Sequence, residues 1–271
     1  MKLKIGFESE TFDEGRKCDT YSGASEVSPH RKSVVQVLFP GRGASLSYYN
    51  DRFDLQPGDI VYVDGKLEGQ PGRVTDVNYN FKIRLADYKH VTAVVDTNVH
   101  GQFFGIGSHF ITFDPAALPA DQAAAWHRAP PKETDEFLSG SDDASFPLAD
   151  LSGMNVSGAI AERGHNYYLE NRVKYICVDG ARGYAIVEGS EAYEVEFEYR
   201  NGEIGRLVCS CFCCYPCKHE VAAMLQLREV LKGIEERYAA EYARTDYFAA
   251  VDKGTLFTFA VDGKDNRCFT L

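Results

Sequence analysis

No run of about 18 apolar residues occurs anywhere in the 271-residue chain, so the sequence offers no helix to span a bilayer. The opening stretch MKLKIGFESETFDEG has lysines but lacks the apolar segment that follows them in a secretory signal. These absences predict a cytoplasmic protein with no membrane partner. Positive charge is also short: 29 Lys and Arg stand against 40 Asp and Glu, a net charge of −11. That balance excludes broad coating of nucleic acid, whose affinity comes from clustered cations, but leaves room for a local contact. The glycines of Gly41-Arg42-Gly43 lack the Lys-Ser/Thr that completes a Walker-type phosphate loop, and Gly101–Gly107 lacks the strand-then-helix setting of a dinucleotide fingerprint. His100 and His109 have no paired carboxylate or nucleophile at a telling spacing, and read as surface or structural histidines. The expectation is a protein that is not an enzyme and takes no small-molecule substrate.

What is present is a composition close to the globular average, with 44% hydrophobic and 25% charged residues. At this length two folded units are expected rather than one. Within residues 1–115, the stretches SVVQVLF, SLSYYN, DIVYVDG, RVTDVNY, VTAVVD and HFITFD are short, β-branched or aromatic, and separated by Gly, Pro, Asn and Asp. They predict an all-β unit, barrel-like in the SH3 or OB manner, with a turn at Gln56–Asp59. Residues 116–150 hold 2 basic and 7 acidic side chains, a Pro130-Pro131 pair and a Ser/Asp/Gly run, with one possible short helix around Trp126. This stretch predicts an acidic linker.

Residues 151–271 return to strands at HNYYLE, RVKYICVD, GYAIVEG, AYEVEFEY and IGRLVCSC, with Asp179-Gly180 and Asn201-Gly202 as hairpin turns. From His219 to Arg244, Met224, Leu227, Leu231, Ile234 and Tyr238 recur at steps of three and four, which predicts a long helix with one apolar face. A short helical piece around Tyr247–Val251 and a final hairpin turning at Asp262–Asp265 complete the expected α+β fold.

Five of the eight cysteines lie within the nine residues Cys209–Cys217, in VCSCFCCYPCKH. A secreted disulfide scaffold spreads its cysteines, so such clustering points to a metal. Cys209 and Cys211 end a predicted strand, where residues two apart share a side, and Cys217 and His219 open the long helix. Two such pairs supply the four thiolate and imidazole ligands of a structural zinc site. Cys211, Cys214 and Cys217, with His219, form an alternative set by spacing. Cys18, Cys177 and Cys268 are isolated and read as small buried hydrophobes, and Cys213 or Cys214 beside a helix start is a candidate reactive thiol.

The arrangement Cys209-x-Cys211, five residues, Cys217-x-His219, with Val221-Ala222 following, resembles the SWIM zinc-finger family. The likeness extends upstream through Ala161–Gly164, Tyr167-Tyr168, Arg172-Val173, Ala185, Val187, Gly189-Ser190, Tyr193 and Val195, and covers roughly residues 155–232. The resemblance implies a ββα zinc finger with Zn2+ held by Cys209, Cys211, Cys217 and His219, and it selects this set over the alternative. SWIM proteins include Mutator-type transposases, Snf-type remodelling ATPases and recombination factors, whose finger is taken to bind DNA or another protein. Arg163, Tyr167, Tyr168, Arg172, Arg206 and Lys218 are the basic and aromatic candidates for nucleic-acid contact, opposed by Glu194, Glu196 and Glu198 on one strand face. The expectation is a free-standing zinc-binding module for nucleic acid, with a protein-binding adaptor as the rival.

Overall fold

The computed structural model describes residues 31–132, 134–142, 144–213 and 216–261. The β-branched runs of the N-terminal part become β1 (Ser33–Leu38), β2 (Leu46–Asn50), β3 (Ile60–Val63), β4 (Gly72–Asn78) and β5 (Val91–Val95). They pair antiparallel in the order β2-β1-β4-β3-β5. Val35, Val37, Tyr48, Val61, Val74 and Val91 fill the inner face of this sheet. At the Gln56–Asp59 turn, Gly58 has φ +100° and Asp59 N–H donates to Gln56 O at 3.1 Å.

The sheet does not close into the expected barrel. Its two edge strands meet at a single bridge, Tyr49 to His90, rather than along a ladder. The physical reason is that β3 and β5 give part of their apolar surface to the rest of the molecule: Ile60, Tyr62 and Val95 pack with Trp126, Tyr175, Ile186 and Val251. Ile60 and Tyr62 lie on the face opposite Val61 and Val63, and curling β5 round to β2 would draw Val95 away from the partners that it has in the open sheet.

The second sheet has eight strands in the order β6-β7-β13-β9-β10-β11-β12-β8. Its members are β6 (Phe104–Ile106), β7 (His109–Thr112), β8 (Ser145–Pro147), β9 (Val173–Asp179), β10 (Arg182–Glu188), β11 (Ala192–Arg200), β12 (Glu203–Cys209) and β13 (Tyr247–Asp252). Two strands from the N-terminal half, β6 and β7, thus join through β13 to the C-terminal meander. Between the sheets lies α1 (Ala120–His127), in the stretch expected to be a linker. Leu118 and Trp126 there are fully buried, and Trp126 Nε1–H donates to Asp96 O at 2.8 Å while Tyr62 O–H donates to Ala125 O at 3.0 Å.

Three further helices cover the other face of the large sheet: α2 (Gly158–Leu169), α3 (Lys218–Arg237) and α4 (Ala239–Thr245). HNYYLE is therefore the end of a helix rather than a strand. Ser157 caps it through Ile160 N–H at 3.4 Å, and Ile160, Gly164, Tyr167 and Tyr168 recur at helical spacing toward α3. Gly164 allows the close approach of the two helices, because a Cβ there would lie 2.4 Å from Val221 Cβ. The expected long helix is divided at Tyr238, which leaves helical geometry at φ −136°.

The C-terminal expectation is also corrected. Tyr247–Asp252 is a strand between β7 and β9 whose six residues are all buried, Phe248 and Ala250 in the core on one face and Tyr247, Ala249 and Val251 in the core on the other, and burial on both faces accounts for the apolar run of its first five residues. The following residues form α5 (Lys253–Leu256) and a π-helical turn (Phe257–Val261), where the first arm of a hairpin was expected. Asp252 starts this helix by accepting from Thr255 N–H at 2.9 Å. The turn expected at Asp262–Asp265 lies outside the described residues, as do Cys18, Cys214 and Cys268.

Candidate metal centre

The β11–β12 hairpin turns through Asn201 and Gly202, with φ +51° and +86°, and runs back to Cys209, which faces Val195 in the register. Alternation along the strand puts Val195, Phe197 and Cys209 on the side of α3. After Cys209 the chain is held by Ser210, whose N–H donates to Glu194 O and whose Oγ accepts from Glu194 N–H, both at 2.9 Å. On the other side of the site, Cys217 is the N-cap of α3, and its N–H donates to Glu220 Oε2 at 2.7 Å. Strand end and helix start thereby converge.

Ligand-type atoms of Cys209, Cys211, Cys217 and His219 all lie within 4.8 Å of one another, a cluster that can hold a metal ion. His219 turns Nδ1 to Cys209 Sγ at 3.7 Å and to Cys217 Sγ at 3.6 Å. Zinc bonds of about 2.3 Å to sulfur and about 2.0 Å to nitrogen put the two atom types about 3.6 Å apart along a tetrahedral edge, so the spacing fits the donor set. His219 and Cys217 are buried, while Cys209 and Cys211 are half-buried.

The imidazole is fixed from outside the quartet. Tyr193 stacks on it, ring centroids 4.2 Å apart at 20°, and Tyr167 leans on it at 5.6 Å. Tyr193 is itself pinned by a 2.8 Å hydrogen bond between its hydroxyl and Ser190 Oγ. Gly189 makes the space, since a Cβ there would lie 2.8 Å from Tyr193 and 3.2 Å from His219 Nε2. Gly189 and Tyr193 belong to the upstream pattern of the sequence, but nothing in their spacing assigned them to His219; only the pairing of β10 and β11 does.

The electrostatics match. Cys217 is pulled down to about 4 by the Cys209 thiol that donates to it, against the opposing effect of burial, and is helped by His219 and the Glu220 N–H. Cys209 is pushed far up by the same contact and by burial, and burial pushes Cys211 up to about 11. Crowding and burial oppose ionisation of all three sulfurs together, and a dication among them would offset that. Burial pushes the Glu220 carboxyl up to about 7, the negative Cys217 sulfur adding to it.

Of the other sequence candidates, three come together beside His219. Lys218 Nζ lies 4.4 Å from the Tyr167 ring centroid and Arg172 lies 5.1 Å from it, Arg172 also pairing with Glu170 at 2.7 Å. Tyr168 turns away to donate to Glu229 Oε2 at 3.1 Å, and Arg163 is spent on Ala159 O at 3.1 Å along its own helix. Arg206 lies on the sheet face turned away from α3, paired with Glu198 at 3.2 Å. His109 is a buried structural histidine between Ser108 Oγ and Val173 O, and burial holds its imidazole neutral. Cys177 is buried in the core, where burial raises its thiol to about 11, and Cys213 is exposed. Phe212, between the two ligand pairs, is fully exposed.

No helix among the described residues is long and apolar enough to cross a membrane. The chain is 33% identical over 92 residues to the uncharacterized protein MJ1493 of Methanocaldococcus jannaschii, a match that spans 31% of this chain and 39% of that protein. No family model matches the chain, and no solved structure matches it.

Proposed function

We propose that the chain is a zinc-binding module of the SWIM type, in which Zn2+ fastens the β11–β12 hairpin to the head of α3 and the adjoining surface contacts nucleic acid without catalysis. The observation that carries this reading is the convergence of Cys209, Cys211, Cys217 and His219, in the order C-x-C then C-x-H, at a strand end and a helix start. Four protein ligands leave no open position for water or substrate, which favours a structural role for the ion. Such an ion contributes on the order of 10 kcal/mol to the arrangement it closes.

The surface beside the ion supports a contact with single-stranded nucleic acid. Lys218 and Arg172 flank the Tyr167 ring, and the fully exposed Phe212 offers a π-face on the ligand loop. Cations on phosphate and aromatic faces on bases are the two parts such binding needs. The test is retention of the zinc-loaded protein on single- and double-stranded DNA as salt is raised. Binding should fall linearly in log–log form, and Lys218→Gln should lower the slope by about 1. Absence of retention at low salt would refute it. The net charge of −11 then favours the second reading, a protein adaptor that docks through Phe212.

A further inference from the structure

A cleft of 590 Å³ opens between the two sheets, bounded by Gln70 and Pro71 in the connection before β4, by α1, and by α5 and the π-helical turn after it. Its volume is that of a small-molecule site. The floor carries Lys174 on β9, side chain 18% exposed, set 3.2 Å from Glu188 Oε2 and 3.9 Å from Asp252 Oδ1. Glu191 adds a third carboxylate to the lining. His127, at the end of α1, lines the same cleft, and its Nε2 is shut from solvent with no hydrogen-bond partner. Phe259 stacks on Trp126 at 5.4 Å and 19° and forms an aromatic wall. The π-helical turn that delivers Phe259 is a rare conformation that recurs at functional sites.

The charges decide the ligand. Glu188, Glu191, Asp252 and Lys174 are the charged residues of the lining, Lys174 is already paired with two of the carboxylates, Arg73 is engaged at the rim by Thr258 O at 2.7 Å, and burial keeps His127 neutral. An anion entering here meets excess negative charge, whereas a cation completes it. A flat or short apolar body is favoured by Phe259 and Pro71.

From this we infer that the inter-sheet cleft binds an organic cation, an amine or guanidinium on a short body, whose charged end competes with Lys174 for Glu188. The ligand is either a free amine or the side chain of an arginine or lysine in another protein, and both present the same chemistry.

The test is titration calorimetry on the full zinc-loaded chain with agmatine, with a terminally blocked Gly-Arg-Gly peptide, and with inorganic phosphate. Trp126, the one tryptophan of the chain, gives a parallel fluorescence readout from the cleft wall. Agmatine or the peptide should bind saturably at one site and phosphate should not. Tighter binding of agmatine identifies a free amine, and tighter binding of the peptide identifies a protein side chain. Glu188→Gln, at a half-exposed position, should weaken binding about tenfold or more. Lys174→Met should tighten it by removing the internal competitor, and Glu203→Gln, at the far hairpin, should leave it unchanged. Saturable phosphate binding, no binding of either cation in the millimolar range, or equal affinity in Glu188→Gln would overturn the assignment.

Discussion

Gly189→Ala tests whether the metal ligand is positioned by its neighbours without touching any ligand. The added methyl would sit 2.8 Å and 3.1 Å from the edge of the Tyr193 ring and 3.2 Å from His219 Nε2, inside the 3.4 Å at which ordinary contact begins. Gly189 does not occupy the left-handed region, so alanine brings no backbone strain of its own. The ring must therefore yield by about half an ångström, the shortfall of the closest contact. Tyr193 cannot retreat freely, being hydrogen-bonded to Ser190 at 2.8 Å and stacked on His219 at 4.2 Å. Either the stack opens or the imidazole tips, and Nδ1 leaves the line to the two sulfurs. Loss of a group that orients a ligand costs about 10–100-fold in metal affinity, or roughly 1.4–2.7 kcal/mol. Competition against a chromophoric zinc chelator measures this, with thermal melts of the metal-free chain as the control. The expected result is weaker zinc binding with a metal-free melting temperature close to that of the parent. Unchanged affinity would refute the argument, as would a fall in metal-free stability large enough to account for the loss.

Two other perturbations test the packing and the buried charge. Gly164→Ala drives a methyl to 2.4 Å from Val221 Cβ and 3.0 Å from Lys218 O, so the α2–α3 contact must spread, at a cost of about 1–3 kcal/mol in denaturant unfolding; an unchanged midpoint would show that the helices are not in close contact there. His127 is pulled from 6.5 down to about 4 by burial. The unfolded chain therefore takes up a proton at His127 below pH 6.5 that the folded chain refuses, and this contribution falls as pH drops from 7 to 5. The loss should be about 1–2 kcal/mol, as one ring edge borders the cleft, and His127→Gln should remove that part of the slope. An identical pH profile in the variant would contradict it.

The strands β1–β5, β7 and β9–β12 were legible in the sequence because each is bounded by turn residues, with Asp179-Gly180 between β9 and β10 and Asn201-Gly202 between β11 and β12. The cluster of Cys209, Cys211, Cys217 and His219 was legible because its members are close in the chain, leaving the fold only to bring a strand end to a helix start. HNYYLE was misread because tyrosine pairs favour strands, while the competing signal, the Ser157 cap with apolar residues at helical spacing, begins outside the segment. YFAAV gave no period at all, since a strand covered on both sides has no polar face to alternate with. Long-range pairings escaped for a different reason: nothing local in HFIT says that it will lie beside Ala249–Asp252. The cleft was invisible for the same cause, as Lys174, Glu188, His127 and Asp252 are distant in sequence and meet only when both sheets are in place.

X-ray absorption at the zinc edge of the purified full chain tests the centre most directly. The expected result is one zinc per chain with about three sulfur neighbours near 2.3 Å and one nitrogen near 2.0 Å, a shell that changes in Cys209→Ser and stays the same in Cys214→Ser. A chain that carries no metal, a shell containing oxygen, or a change in Cys214→Ser with none in Cys209→Ser would contradict it.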